Sequence, residues 1–214
     1  MISASARLSR LPVEERGLTI GDFLVPIRIG ERMGSRVRHI ALIAIGATLV
    51  FASSRVSIPI PGSDVPITGQ TFGVLLVGGA LGFRRGLASV GLYVLIGLIG
   101  LPFFAESKGG VSVILGASGG YIVGFLVAGS LVGRLAELGW DRRILGALGA
   151  MAIGNVVIYV IGVPWYMVVA HLDLPTGIAK GLTPFLLVDA IKLILAAVTF
   201  PAAWWVVGRR AGEG

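Results

Sequence analysis

The residues best able to do chemistry in this chain are an aspartate and a lysine three positions apart, Asp189 and Lys192, set in an otherwise apolar run. Spacing of i, i+3 puts both on one helical face, where the opposite charges can partly neutralise each other. A charge at mid-bilayer costs roughly 2.5–3.5 kcal/mol on insertion scales. One reading is therefore a self-satisfied ion pair that fixes the register of the last helix. The cost favours the other, a polar cavity lined by both, because uncharged residues would pack the helix without it. The single Gln and single Asn of the chain, Gln70 and Asn155, also fall within apolar segments. Each carries one acceptor and two donors, which suits a compact polar ligand with both N–H and C=O groups. Their plainer role is an interhelical hydrogen bond, worth about 0.6 kcal/mol. Tyr93, Tyr121, Tyr159 and Trp165 can wall such a site, although aromatics near span ends also serve as interface anchors.

The segments that carry these residues are membrane-like. Hydrophobic residues make up 55% of 214 and charged residues only 14%, where a soluble domain carries about a quarter charged. Six apolar segments are expected, near 39–58, 67–83, 86–101, 119–138, 144–170 and 184–208. The second and third fall short of the roughly 20 residues that cross the hydrocarbon core, so they imply locally thinned bilayer or borrowed flanks. Only Arg84 and Arg85 separate them, which predicts a tight antiparallel hairpin. Rows of small residues at four-residue spacing (Gly78/Gly82/Gly86, Gly120/Gly124, Gly146/Ala150/Gly154 and Ala44/Thr48/Ala52) predict close helix packing.

Fourteen of the eighteen Lys and Arg residues lie in the N-terminal tail, after the second and fourth segments, and after the sixth. By the positive-inside rule both termini are cytoplasmic. The isoelectric point near 10.6 then reflects topology, and no nucleic-acid partner is expected. The fold expected is an all-α integral membrane bundle of six helices, N-in and C-in, in a multi-pass cell-membrane protein. Residues 1–37 form a basic cytoplasmic tail, read as a disordered extension or a weakly amphipathic surface segment, and residues 38–210 the transmembrane domain. Two connections on the outer side are unusual. Residues 57–68 hold three prolines, and 102–120 are Gly-rich yet apolar, with Phe103, Phe104, Val111, Val113, Ile114 and Leu115. Both are expected to fold back over the bundle mouth as lids on a ligand pocket.

The run R-V-S-I-P-I-P-G-S-D-V-P-I-T-G-Q-T-F-G-V-L-L (55–76) resembles the BioY family, the substrate-binding subunits of energy-coupling factor (ECF) biotin transporters. The likeness continues through L-G-F-R-R-G (81–86), Y-V-L-I-G-L-I-G-L-P-F-F-A (93–105), L-G-A-S-G-G-Y-I-V-G-F (115–125), G-N-V-V-I-Y-V-I-G-V-P-W (154–165) and D-A-I-K (189–192). Together these span about residues 40–208. The resemblance implies six helices and capture of biotin at the outer face. It matches Asp189 and Lys192 to the polar pair of the family's last helix. Asp189 would accept the ureido N–H groups, while Lys192 would meet either the ureido carbonyl or the valerate carboxylate. Gln70, Asn155, Tyr93 and Tyr121 are further candidates, and Gly119 and Gly120 would let the backbone approach the ligand. It also implies as partners a coupling transmembrane subunit, gripping the Ala44/Thr48/Ala52 row, and two ATP-binding subunits. The chain itself has no G-x-x-x-x-G-K-[ST] loop for ATP.

One motif points instead to an enzyme. G-A-S-G (116–119) resembles the nucleophile motif of rhomboid intramembrane proteases, and His171 follows it. His171, however, falls in an outer loop, His39 lies at the other side of the membrane, and the His and Asn groups that would hold an oxyanion are missing from the second helix. With no cysteine there is no thiolate metal site or cysteine nucleophile. The chain is read as a non-enzyme with no metal and no cofactor.

Overall fold

The computed structural model describes residues 18–24 and 34–211. The long apolar runs form helices, and their order is α1 (Ile20–Leu24), α2 (Ser35–Ser54), a hairpin of β1 (Ser57–Ile58) and β2 (Ile67–Thr68), α3 (Gln70–Leu98), α4 (Val111–Leu115), α5 (Gly119–Glu137), α6 (Ile144–Val169), α7 (Leu174–Gly181) and α8 (Thr183–Ala211). Five helical stretches among the described residues are long and apolar enough to cross a membrane. Six apolar segments were expected, and the second and third both fall within α3.

That stretch is folded back on itself. Gly82 has φ 80 and ψ 179, a conformation open in practice to glycine alone. A straight helix would hold residues 70 and 93 roughly 34 Å apart, yet the Gln70 amide donates to the Tyr93 hydroxyl. Halfway along, a Cβ placed on Gly86 would stand 3.0 Å from the Gly78 Cα. The chain therefore reverses at Gly82, and Arg84 and Arg85 lie in the first turn of the returning arm rather than forming the link. The Phe83 amide freed by the turn donates to Glu137 Oε1 at 2.9 Å.

The expected glycine rows are lines of backbone contact. On α5, the central helix, Gly129 O would lie 2.2 Å from a Cβ on Gly78, and Gly82 C 2.6 Å from a Cβ on Gly133. Gly124 meets α6 in the same way, at Ile158. Because α3 and α5 approach this closely, α6 and α8 can close the bundle around one space at the hairpin end.

At the opposite end α1 is docked on the Gly82 turn. Thr19, Ile20 and Gly21 are buried, and Arg85 grips both Asp22 oxygens at 2.9 Å. Burial alone would raise the Asp22 pKa, but the hydrogen bonds from Arg85 and Thr19 hold it below the usual carboxylate value. This part of the tail is packed against the bundle rather than extended. The rest of it, 1–17 and 25–33, lies outside the described residues.

The Gly82 turn carries the first expected outcome. Gly82→Ala forces a side chain into a conformation that costs about 1–3 kcal/mol, and its Cβ would stand 2.8 Å from Glu137 Oε1. A scan of thermal aggregation in detergent should show a lowered midpoint. Gly91→Ala, where a Cβ meets no atom within 4 Å, should leave it unchanged.

Candidate functional site

At the hairpin end the elements converge on a cavity of about 640 Å³ when the space of its open mouth is counted. Gln70 and Thr71 reach it from the first turn of α3, Tyr121 and Phe125 from α5, Tyr159 from α6, and Phe185 and Lys192 from α8. Val65, Pro66 and Thr68 of the hairpin cover it on one side, and Phe104, Glu106 and Lys108 on the other. Both proline-rich and glycine-rich connections thus form its roof.

One polar cluster sits in this apolar chamber. The Lys192 ammonium donates to Asp189 Oδ1, Thr71 Oγ1 and the Thr68 carbonyl, each at 2.8 Å. All three of its N–H bonds are engaged. Asp189, 4% exposed, also accepts from the Tyr159 hydroxyl and from Thr71 Oγ1 at 3.4 Å. The Thr71 hydroxyl accepts from the lysine and donates to the aspartate, so it closes the cycle. The cluster ties α8 to α3, β2 and α6 with every charge answered, as a low-dielectric site demands.

Aromatic rings hold these groups in place. The Tyr159 ring meets Tyr121 edge-on at 6.4 Å, and the Tyr121 hydroxyl donates to the Gly181 carbonyl at 2.7 Å. On the opposite wall Gln70 donates to Tyr93. Tyr93 itself is wholly buried and meets Phe104 of the lid edge-on at 5.7 Å. Tyr93 therefore supports Gln70 from behind and is not among the residues lining the cavity.

Three other expected site residues stand elsewhere. Asn155 borders a separate, much smaller crevice behind Lys192, and its buried Oδ1 has no hydrogen-bond partner. Gly119 and Gly120 do not line the cavity. A Cβ on Gly119 would stand 1.7 Å from the Ile114 carbonyl, and one on Gly120 2.2 Å from the Trp165 Cβ. The close approach they permit is to α4 and α6, not to a ligand. Lys192, Gln70 and Tyr121 line the chamber, and Asp189, not itself a lining residue, is bonded behind it to Lys192, Thr71 and Tyr159.

Thr71, Glu106 and Lys108 were not anticipated. A threonine inside an apolar helix gives no polar signal until the helix that crosses it is known. The two loop charges had one faint signal, their isolation in an apolar, Gly-rich stretch. Ser118 also lines the chamber, but His171 lies exposed in the turn after α6, and no histidine is among the lining residues. The serine–histidine pairing of a hydrolase is not assembled among the described residues.

The family model described as "BioY family" matches residues 28–209. The biotin transporter BioY of Thermotoga maritima is 36% identical over 162 residues, covering 76% of this chain and 93% of that protein. The biotin transporter BioY2 of Lactococcus lactis is 33% identical, over 77% of this chain and 88% of its own. Among solved structures, the S-component for biotin from an ECF-type ABC transporter superposes with a TM-score of 0.73 at 29% identity. That match covers 78% of this chain and 91% of the other.

The stranded Asn155 oxygen makes the second expected outcome. A buried acceptor without a partner costs about 1–3 kcal/mol, a cost that an apolar side chain does not carry. Asn155→Leu should keep or raise the thermal midpoint in detergent, and a marked fall would reveal a partner that the geometry does not show.

Proposed function

The chain belongs to the BioY family, and we propose that its chamber binds biotin for uptake across the membrane. The observation that carries this reading is the Asp189–Lys192–Thr71–Tyr159 cluster at the inner end of an apolar chamber roofed by two lids. Biotin presents two ureido N–H donors and a carbonyl at one end, an apolar thiophane ring in the middle, and a carboxylate at the other. Asp189 and the Tyr159 oxygen supply acceptors for the N–H groups. Lys192 gives the carbonyl a donor in place of Thr68 or Thr71, one neutral acceptor exchanged for another. Tyr121, Phe125 and Phe185 bury the ring system. Gln70, braced by Tyr93, is a second polar contact at the wall.

The two arms of α3 count as separate crossings in this reading, which makes six, and both fit only a locally thinned bilayer. The arginine bias puts both termini in the cytoplasm of a cell-membrane protein and turns the lids outward. Uptake then draws its energy from partners, a coupling transmembrane subunit and two ATP-binding subunits. In support, Ala44, Thr48 and Ala52 stand exposed along one face of α2, open to a neighbouring helix.

Equilibrium binding of labelled biotin to the detergent-solubilised protein tests the substrate. Asp189→Asn and Lys192→Ala each remove charge-assisted hydrogen bonds worth about 1.5–3 kcal/mol, so affinity should fall roughly ten- to hundredfold. Ser118→Ala should bind as the wild type does. A well-folded wild type that binds no biotin sinks the reading. For the topology, alkaline phosphatase fused after residue 211 should be inactive, and an active fusion would reverse the orientation.

A further inference from the structure

At the end of the bundle away from the chamber, three helix ends leave a groove between them. The start of α2, the start of the returning arm of α3 and the last turn of α5 wall it, and they contribute His39, Arg84, Arg85, Arg134 and Glu137. Its floor is apolar, made by Ile43, Leu81 and Phe83. Ile43 lies one turn further along α2 than His39. Phe83 and Leu87, 40% and 39% exposed, lie four residues apart on one face of the returning arm. An apolar strip therefore leads from the basic rim toward the middle of the spans.

The charges at the rim do not balance. Arg85 is bonded to Asp22 at 2.9 Å, and Arg38 shares the same carboxylate at 3.6 Å. Arg134 pairs with Glu137 Oε2 at 2.9 Å, and the other oxygen of Glu137 accepts from the Phe83 amide. Both carboxylates are thus fully engaged. Arg84 is exposed, and no hydrogen bond or ion pair joins it to any other described residue. Four guanidinium groups stand against two carboxylates, an excess of two positive charges. The bias of basic residues toward one side of a membrane accounts for their sign, but it would be met at any exposed position. Arg143, exposed at the same end before α6 and outside the groove, is such a position. Arg84 stands instead in a concavity with an apolar floor.

We propose that this groove binds a net-anionic phospholipid of the surrounding bilayer, with Arg84 holding its phosphate. The walls are helix ends, which lie at headgroup depth in a chain that spans the membrane, and basic pockets between membrane helices take up acidic headgroups. The planar guanidinium of Arg84 presents paired donors that match two phosphate oxygens, and the His39 ring offers a further N–H. One acyl chain follows Phe83 and Leu87 into the hydrocarbon. A zwitterionic lipid brings a cation with its phosphate, into a place already positive, so the groove selects for net negative charge. The proposal is independent of the biotin reading and of which leaflet this end faces.

Native mass spectrometry of the full-length protein in neutral detergent, given equal amounts of dioleoyl phosphatidylglycerol and dioleoyl phosphatidylcholine, reads this preference. The singly lipid-bound wild type should carry phosphatidylglycerol over phosphatidylcholine by about fivefold or more. Arg84→Ala and Arg84→Gln should bring the ratio close to one, Arg84→Lys should keep part of it, and Arg143→Ala should leave it unchanged. Millimolar inorganic phosphate should not displace the phosphatidylglycerol. Displacement by phosphate would assign the groove to a soluble anion and overturn the proposal. An equal loss in Arg84→Ala and Arg143→Ala would reduce the effect to overall charge, and a wild type without preference would leave no site; either result overturns it.

Discussion

The interaction on which the rest of this structure depends is the ammonium of Lys192. An unpaired charge at that depth is expensive, and pairing it with Asp189 alone would leave two N–H donors and several carboxylate lone pairs unmet. The protein meets them with groups from elsewhere in the chain: the Thr68 carbonyl, the Thr71 hydroxyl and the Tyr159 hydroxyl. Each partner comes from a different element, so the cluster forms only when α3, α6, α8 and the β-hairpin are all in place. Lys192 and Asp189 therefore report on the whole hairpin end of the bundle, and the polar cluster and a folded bundle are one condition here.

Backbone proximity makes that condition attainable. Lipid gives helices no hydrophobic reason to associate, so contact has to come from close packing and internal hydrogen bonds. The glycines of α3 and α5 supply the first. Gly78 against Gly129 and Gly82 against Gly133 bring two backbones together with no side chain between them. The fold-back at Gly82 supplies the second, returning the chain so that Tyr93 braces Gln70 at the lip of the chamber. The same turn receives α1 at the opposite end, where Asp22 and Arg85 lock it from outside. One glycine with positive φ thereby sets the position of residues at both ends of the molecule.

How much of this could be read from the sequence follows from what each residue type can signal. Charge in an apolar run is loud, so Asp189 and Lys192 stood out, as did Gln70 by being unique. Small-residue rows showed that helices pack closely, but not which partner each glycine faces. Gly119 and Gly120 were accordingly assigned to a ligand when the structure gives them to Ile114 and Trp165. Asn155 had the same polarity as Gln70 and a different fate, because one helix turn decides whether an amide looks into the chamber or into the crevice behind it. The hairpin was legible and its apex was not. Arginines interrupt hydropathy and attract the eye, whereas Gly82 does the turning and looks like any other glycine in the row. The tail's amphipathic reading takes in Ile20, but so short a segment has too little periodicity to show that Thr19, Ile20 and Gly21 are buried.

The chamber holds two ion pairs of the same chemistry in different solvents, and the difference has consequences. The inner pair has side chains only 15% and 5% exposed; there, loss of one partner strands a charge and is strongly destabilising. The outer pair, at 59% and 34%, belongs to a class of contact worth little on its own, because water replaces either partner readily. A buried pair can exchange one neutral hydrogen-bond partner for another while its two charges go on answering each other. An exposed pair can trade one of its members for an incoming charge at small cost. The lid that carries Glu106 and Lys108 is anchored by Phe103 stacked on Phe51 at 4.2 Å and by Phe104 edge-on to Tyr93. The two pairs thus bound one chamber at two depths, the inner one costly to break and the outer one cheap.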